Sequence, residues 1–274
     1  MLAQTPSDTL AGRASMAIEL ARSVGREASA FRDRLGTIGL EVEAKGVQDF
    51  VTVADKQAEE RIRATIARDF PGDGFVGEEG GGAPTGAGFW VVDPIDGTTN
   101  YIRGFRHWGV SIAYCVGSEV QIGVVYDAAV DKVYSATRSG GAFKDGKPIR
   151  ASAIDDPGRA IAILGHSRRT DFDAYQAVAK RLYDLGIDYR RMGAAAIGLV
   201  RVADGIADLY YERHLNGWDM LAGALIAHEA GANVCLPPLP TSLSAGGPVI
   251  AVAAGLRAQL AFLYDQTDSF VLPI

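Results

Sequence analysis

The sequence predicts a mixed fold in two parts, an α+β half followed by an α/β half. Three observations carry this. Two stretches with helical apolar spacing come early, at 7–34 and from about Asp55 to Phe70. A series of short strand-like runs joined by turn residues follows, ending near residue 148. Strand-like and helical patterns then alternate after about Ser152. The division falls between 1–152 and 153–274.

The elements can be taken in order. In 7–34 the apolar positions Leu10, Ala14, Ala17, Ile18, Ala21, Val24 and Phe31 recur with helical period, and Ser7 and Asp8 are candidate caps. Residues 38–43 read as a short strand. Ala58, Ile62, Ile66 and Phe70 form the stripe of a second helix that Pro71-Gly72 stops, with Asp55 at its start as a candidate N-cap. Phe75 to Glu79 is a short strand ending in two acids, and glycine-rich 80–88 reads as a mobile surface loop. Residues 109–116, 120–126, 131–137 and 141–144 are strand-like, with Asp145-Gly146 as a hairpin turn. In the second half, 160–164, 187–191, 206–211, 232–235 and 249–253 read as strands. Helical patterns cover the stretch from Tyr175 to Leu185, 194–203, 218–229 and 256–265.

Composition narrows the function. With 274 residues, 48% hydrophobic and 22% charged, the chain has enough material for one large or two modest domains. The net charge of −6 gives no reason to expect a nucleic-acid partner. No apolar stretch reaches the length of a membrane span, so a cytoplasmic protein with no membrane partner is expected. Cys115 and Cys235 lie in apolar runs and read as buried free thiols. No Cys/His cluster suggests zinc, and no Ser/His/Asp or Cys/His arrangement is apparent.

The most informative stretch is 89–101. An apolar run ends in Asp93, Pro94, Ile95 and Asp96, then turns through Gly97, Thr98, Thr99 and Asn100. Pro94 restricts the turn, and Gly97 permits close backbone approach. Two hard carboxylates beside an anion-receiving turn suggest Mg²⁺ holding a phosphate. A solvated turn closing a strand is the plainer alternative. Glu78 and Glu79 are either solvated acids or the source of a third carboxylate. Asp219, opening an apolar helix with Ala222, Gly223 and Ala224, is either a first-turn acid suited to the helix dipole or a carboxylate delivered to a site.

Four motifs then fall in order. They are Asp49 to Asp55 (DFVTVAD), Gly77-Glu78-Glu79, Trp90 to Tyr101 (WVVDPIDGTTNY), and Gly217 to Gly223 (GWDMLAG) with Glu229-Ala230-Gly231 behind it. On these the chain resembles the inositol monophosphatase family, within the superfamily of Mg²⁺-dependent, lithium-sensitive phosphatases. The resemblance implies a layered αβαβα sandwich with the site between its halves, and a homodimer. It implies two to three Mg²⁺ per subunit, with Mn²⁺ as a candidate substitute. Glu78, Asp93 and the Ile95 carbonyl would bind the first ion, and Asp93, Asp96 and Asp219 the second. A third would contact Glu78 and waters. Gly97 and Thr98 amides would hold phosphate oxygens, and Thr98 with Asp55 would orient the attacking water. Glu212, seven residues before Asp219, would bind sugar hydroxyls, with Gly193 and Ala195 lining the same pocket and Arg191 within reach of it or of a dimer partner. His107, His166, His214 and His228 are at no family catalytic position and read as structural or rim residues.

Three features depart from the family pattern: the spacing of Lys45 from Asp49, the short glycine-rich loop after Glu78, and Asn216-Gly217 before Trp218. The expected substrate is myo-inositol 1-phosphate or a similar phosphorylated polyol. Histidinol phosphate, fructose 1,6-bisphosphate and adenosine 3′,5′-bisphosphate are alternatives, although no clear basic cluster for a second phosphate stands out. A non-enzymatic protein that binds RNA machinery is a further alternative.

Overall fold

The structure is a computed structural model that describes residues 9–36, 42–46 and 49–264. Helix α1 (Leu10–Leu35) is capped by Thr9, whose hydroxyl accepts from the Gly12 N–H at 3.1 Å. The expected caps Ser7 and Asp8 lie outside the described residues. Strand β1 (Val42–Gly46) pairs antiparallel with β2 (Asp49–Thr52); of the strand expected at 38–43, residues 38–41 also lie outside. β2 runs straight into α2 (Val53–Asp69).

A sheet of eight strands follows. It comprises β3 (Asp73–Gly77), β4 (Gly81–Gly86), β5 (Phe89–Asp96), β6 (Gly109–Val116), β7 (Glu119–Asp127), β8 (Lys132–Thr137), β9 (Ala142–Lys144) and β10 (Lys147–Pro148). Their spatial order is β10-β9-β8-β7-β6-β5-β3-β4, with β3 and β5 the one parallel pair. The glycine-rich segment expected as a loop is thus partly a strand, because β4 hydrogen-bonds along β3 as an exposed edge. Short helix α3 (Thr98–Arg103) follows β5.

The second sheet has the order β12-β11-β13-β15-β14. Its members are β11 (Ile161–Leu164), β12 (Asp188–Arg190), β13 (Leu209–Leu215), β14 (Asn233–Cys235) and β15 (Gly247–Val252). Between them run α4 (Phe172–Asp184), α5 (Ala195–Ala203), α6 (Gly217–Glu229) and α7 (Leu239–Ser244). The helix expected over 256–265 is instead a 3-10 turn at 254–256 and the short α8 (Ala261–Tyr264).

Side-chain packing stacks these into five layers. Ala17, Leu20, Ile62 and Ile66 of α1 and α2 cover one face of the first sheet at Trp90, Val92 and Ile112. The other face, at Val91 and Val125, packs on Ile197 and Leu225 of α5 and α6. Those helices also meet Tyr210, Val249 and Ala251 of the second sheet. Val178 and Leu182 of α4, with Leu256 and Leu263, cover its far face at Leu164 and Val252. The order is αβαβα, as the resemblance implies. Both helices of the middle layer are apolar nearly all round, which suits burial between two sheets. Gly223 lets them approach: a Cβ there would sit 2.8 Å from that of Leu199. Both cysteines are buried and free.

Candidate active site

The site forms where β5 ends against the starts of α2, α5 and α6. β5 is buried along its whole length and extends to Asp96, past the expected end of the strand. An irregularity in its pairing with β6 falls between Asp93 and Asp96, at Pro94, which has no N–H to donate. Asp93 is 2% exposed and accepts from the Ile95 N–H at 3.0 Å. Asp96 crosses to the other half of the chain. Its carboxylate accepts from Ala195 N–H at 2.9 Å and Ile197 N–H at 3.3 Å, in the first turn of α5. The N-cap of α5 is Ala194, which has no side-chain oxygen. Asp96 therefore caps that helix from 99 residues away.

Asp55 is not the N-cap of α2. Thr52 is, with its hydroxyl accepting from Ala54 N–H at 3.1 Å. Asp55 is the third helical residue and closes a capping box by accepting from the Thr52 N–H at 2.8 Å. Its second oxygen accepts from the Thr98 hydroxyl at 3.2 Å, and the Ile95 carbonyl lies 3.1 Å from the same hydroxyl. The sequence-singled pair Asp55 and Thr98 thus meets, 43 residues apart in the chain. Asp219 repeats the arrangement on α6: it is the third helical residue and accepts from the Asn216 N–H at 2.7 Å. The departure at Asn216 puts a good N-cap residue before this helix. Gly97, at φ +88°, turns the chain from β5 into α3, and only 3.0 Å separates an added Cβ from that of Ala194.

These groups border one cleft of about 220 Å³, lined by Glu78, Asp96, Gly97, Thr98, Gly193, Ala195, Glu212 and Asp219. Asp93 stands behind it as a buried neighbour of Glu78, Asp96 and Asp219. Every sequence-singled site residue is therefore in or against the cleft, including the Ile95 carbonyl beside Thr98. His166 and His214 are on its rim; His107 and His228 are not among its lining residues.

Electrostatics here is dominated by carboxylates. Burial pushes Asp93 well above the ordinary range, and the charges of Glu78, Asp96 and Asp219 push it further. Burial raises Asp96 and Asp55 to about 6, against the amide and hydroxyl donors that favour their ionised forms. It raises Asp219 and Glu212 to about 7, with Asp96 adding to both. Among the described residues no three His, Cys, Asp or Glu side chains converge tightly enough to hold one ion as they stand. The donor set itself is all oxygen and strongly anionic, which fits a hard divalent cation.

Several residues escaped the sequence reading. Ser111, opposite Asp93 in the ladder, donates to the Trp218 carbonyl at 2.8 Å and ties the start of α6 to β6. Asn100 donates to the His107 and Met192 carbonyls at 2.7 and 2.8 Å, fastening α3 to the segment before α5. Tyr210 donates to Glu212 at 2.7 Å. Arg169 lines the cleft, where no basic cluster was legible; Arg191, placed by the sequence within reach of the pocket or a dimer partner, lines it as well. Glu59 is a buried acid beneath the Glu78 turn. A carboxylate at 59, within the apolar stripe of Ala58 and Ile62 and four residues before Arg63, was the signal available.

The profile of the inositol monophosphatase family matches residues 12–261. The chain belongs to this family. It is 38% identical over 207 residues to a protein of Aquifex aeolicus named fructose-1,6-bisphosphatase/inositol-1-monophosphatase, covering 74% of this chain and 78% of that one. It is 32% identical over 263 residues to the Nus factor SuhB of Vibrio cholerae, covering 94% and 98%. The crystal structure of the extragenic suppressor protein suhB from Bartonella henselae matches with a TM-score of 0.82 at 29% identity, covering 93% of this chain and 98% of that one. Inositol monophosphatase family members are phosphatases, generally metal-dependent, and this chain is a hydrolase of that type. No helix among the described residues is long and apolar enough to cross a membrane.

Proposed function

We propose that the chain hydrolyses a small phosphate monoester in a Mg²⁺-dependent reaction, with myo-inositol 1-phosphate or a similar polyol phosphate as substrate. The observation that carries this reading is the crowding of Glu78, Asp93, Asp96 and Asp219 at one cleft, where Asp93 is raised by all three of the others and Asp219 by Asp96. Such a set is stable at neutral pH when cations share it. Glu78, Asp93, the Ile95 carbonyl, Asp96 and Asp219 would hold the ions. Bound Mg²⁺ would supply charge neutralisation for the phosphate, a more acidic water and stabilisation of the leaving oxygen.

The chain's own groups supply the remaining steps. The N–H groups at Gly97 and Thr98 receive phosphate oxygens at the start of α3. Asp55, ionised above about pH 6, takes the hydrogen bond of the Thr98 hydroxyl and leaves the Thr98 oxygen facing a water as acceptor. A carboxylate titrating near 6 is also a better general base than an ordinary one. Glu212, held by Tyr210, accepts from hydroxyls of the leaving group, and Gly193 and Ala195 leave room for its ring.

A second reading keeps the chemistry and changes the substrate. Arg169 and Arg191 line the same cleft, and a guanidinium suits a second phosphate, as in fructose 1,6-bisphosphate. Phosphate release from inositol 1-phosphate, histidinol phosphate, fructose 1,6-bisphosphate and adenosine 3′,5′-bisphosphate, with Mg²⁺, tests both. The polyol reading expects inositol 1-phosphate to lead, and Asp96→Asn to lose about 10³-fold, on the order of a missing charge-stabilising group. A leading bisphosphate favours the second reading. Undiminished activity in Asp96→Asn overturns the metal assignment.

A further inference from the structure

Glu78 is the one proposed cation ligand carried by a turn rather than by a strand interior or a helix start. It follows β3 directly, and its own N–H donates to the Val92 carbonyl at 3.1 Å. Its carboxylate lies against that of Asp93, with both a side-chain hydrogen bond and a like-charge interaction between the two. A glycine-flanked turn carries little rigidity of its own, so the placing of Glu78 depends on what holds its backbone.

The support comes from α2. The Glu59 carboxylate accepts from the Glu79 N–H at 2.7 Å with one oxygen and from the Gly80 N–H at 2.8 Å with the other. These are the two amides that follow Glu78. Arg63, one helical turn on, donates to Glu59 at 2.8 Å and to the Gly81 carbonyl at 3.1 Å. Its guanidinium lies 4.2 Å from the centre of the Phe75 ring, so it is held from the β3 side as well. Glu59 is 3% exposed. Gly77 leaves the space that the carboxylate occupies, since a Cβ there would strike it. The peptide groups on both sides of Glu78 are therefore pinned, one by the sheet and the other by a charged acceptor. The same helix holds Asp55 at its first turn, so α2 supports both Thr98 and the Glu78 turn.

We infer that Glu59, braced by Arg63, is a positioning residue that presets Glu78 for a divalent cation. This rests on the proposed metal-assisted reading of the cleft. Glu59 itself contributes no ligand: both of its oxygens are engaged by amides and Arg63, and it is not among the residues that line the cleft. Loss of a group that orients a metal ligand costs about 10- to 100-fold in metal affinity.

The test compares Glu59→Gln and Glu59→Ala with Asp73→Asn. Asp73 makes a bidentate pair with Arg13 at 2.8 Å and also takes the Trp90 N–H, away from the cleft. It controls for the loss of a buried ion pair. Two quantities are read: the Mn²⁺ concentration that half-protects the protein from thermal unfolding, and the Mg²⁺ concentration for half-maximal phosphate release from inositol 1-phosphate. For Glu59→Gln both midpoints should rise about 10-fold, with kcat at saturating Mg²⁺ within about threefold of wild type, because the cation itself then draws Glu78 into place. Glu59→Ala should shift further; if it does not fold, Glu59→Gln carries the test. Asp73→Asn should lower the melting temperature and leave both midpoints within about twofold, the scatter expected of an uncoupled site. Unchanged midpoints in folded Glu59→Gln, or an equal shift in Asp73→Asn, overturn the positioning role alone. A wild-type protein that takes up no Mn²⁺ and releases no phosphate overturns the proposed function with it.

Discussion

Replacing Asp55 by Asn keeps the volume of a side chain that is 1% exposed and removes its charge. In the fold this carboxyl titrates at about 6 rather than 3.8, chiefly because burial penalises the ionised form. The folded chain therefore holds the proton more tightly than the unfolded chain does. The associated stability is complete below about pH 3.8 and is lost as pH rises through about 6. At 1.36 kcal/mol per pKa unit, the loss is about 3 kcal/mol above that range. Asn carries no such cost, but it forfeits part of the bonding from Thr52 and Thr98, about 1–2 kcal/mol. Asp55→Asn, free of metal in EDTA, should thus be less stable than wild type at pH 4.5 and equal or more stable at pH 8. Urea unfolding at pH 4.5, 6 and 8 measures the crossing. Phosphate release should fall by about 10²–10⁴, the usual contribution of a positioned base. A difference in unfolding free energy that stays constant across this pH range refutes the burial argument. Activity within tenfold of wild type refutes the role given to the Asp55–Thr98 pair.

Two other outcomes follow from the same chemistry. In EDTA the melting temperature should fall between pH 4.5 and 8, because Asp96 near 6 and Asp219 and Glu212 near 7 all ionise against their burial. Mg²⁺ should restore it, most strongly at pH 8; calorimetry that shows stability rising with pH in EDTA would contradict this. Gly97→Ala meets a left-handed φ of +88° and crowding at Ala194, so a destabilisation of about 2 kcal/mol is expected. Phosphate release should drop about 100-fold, as for a displaced anion-binding donor. Full activity in a folded Gly97→Ala would remove that turn from the site.

What could be read beforehand follows from the range over which each signal acts. Strand β5 and its two carboxylates were legible because apolar run, acids, proline and glycine are contiguous in the sequence. Helices α1, α2 and α4 were legible from apolar period, and α5 and α6 from apolar runs rich in small residues. The edge strand β4 was not, since a Gly/Pro/Thr segment carries turn composition and is held as a strand by main-chain pairing with β3. Asp55 was placed at a helix start but as the cap, because distinguishing the cap from the third helical residue needs the Thr52 geometry. Cross-chain stitching was invisible. Nothing in Ser111, Asn100 or Glu59 announces the carbonyls and amides they bind, which lie up to 107 residues away. Of the arginines that line the cleft, Arg191 was legible from its place just before Gly193, while Arg169 was scattered among the exposed charges of the second half.

The recurring device in the cleft is the helix start. Asp55 and Asp219 each occupy the third position of a helix and bond back to its cap, while Asp96 caps a third helix from outside. Each start presents unpaired amides and a partial positive charge, which favour a nearby anion by about 0.3–1 kcal/mol, and up to about 2 when partly buried. That orients all three carboxylates without flexible arms, since each is locked by backbone donors. It does not neutralise them: all three still titrate two or more pH units above an exposed aspartate. Arg169 lowers Asp219 and Glu212, whereas the neighbours that perturb Asp93 most are the acids Glu78, Asp96 and Asp219. The fold therefore fixes the positions of these carboxylates and leaves the cost of ionising them where they are buried, with acidic neighbours adding to it at Asp93 and Asp219, largely uncompensated. A cation bound in the cleft, as proposed above, would offset that cost, and on that reading the buried acidic set is a binding device rather than a defect of packing.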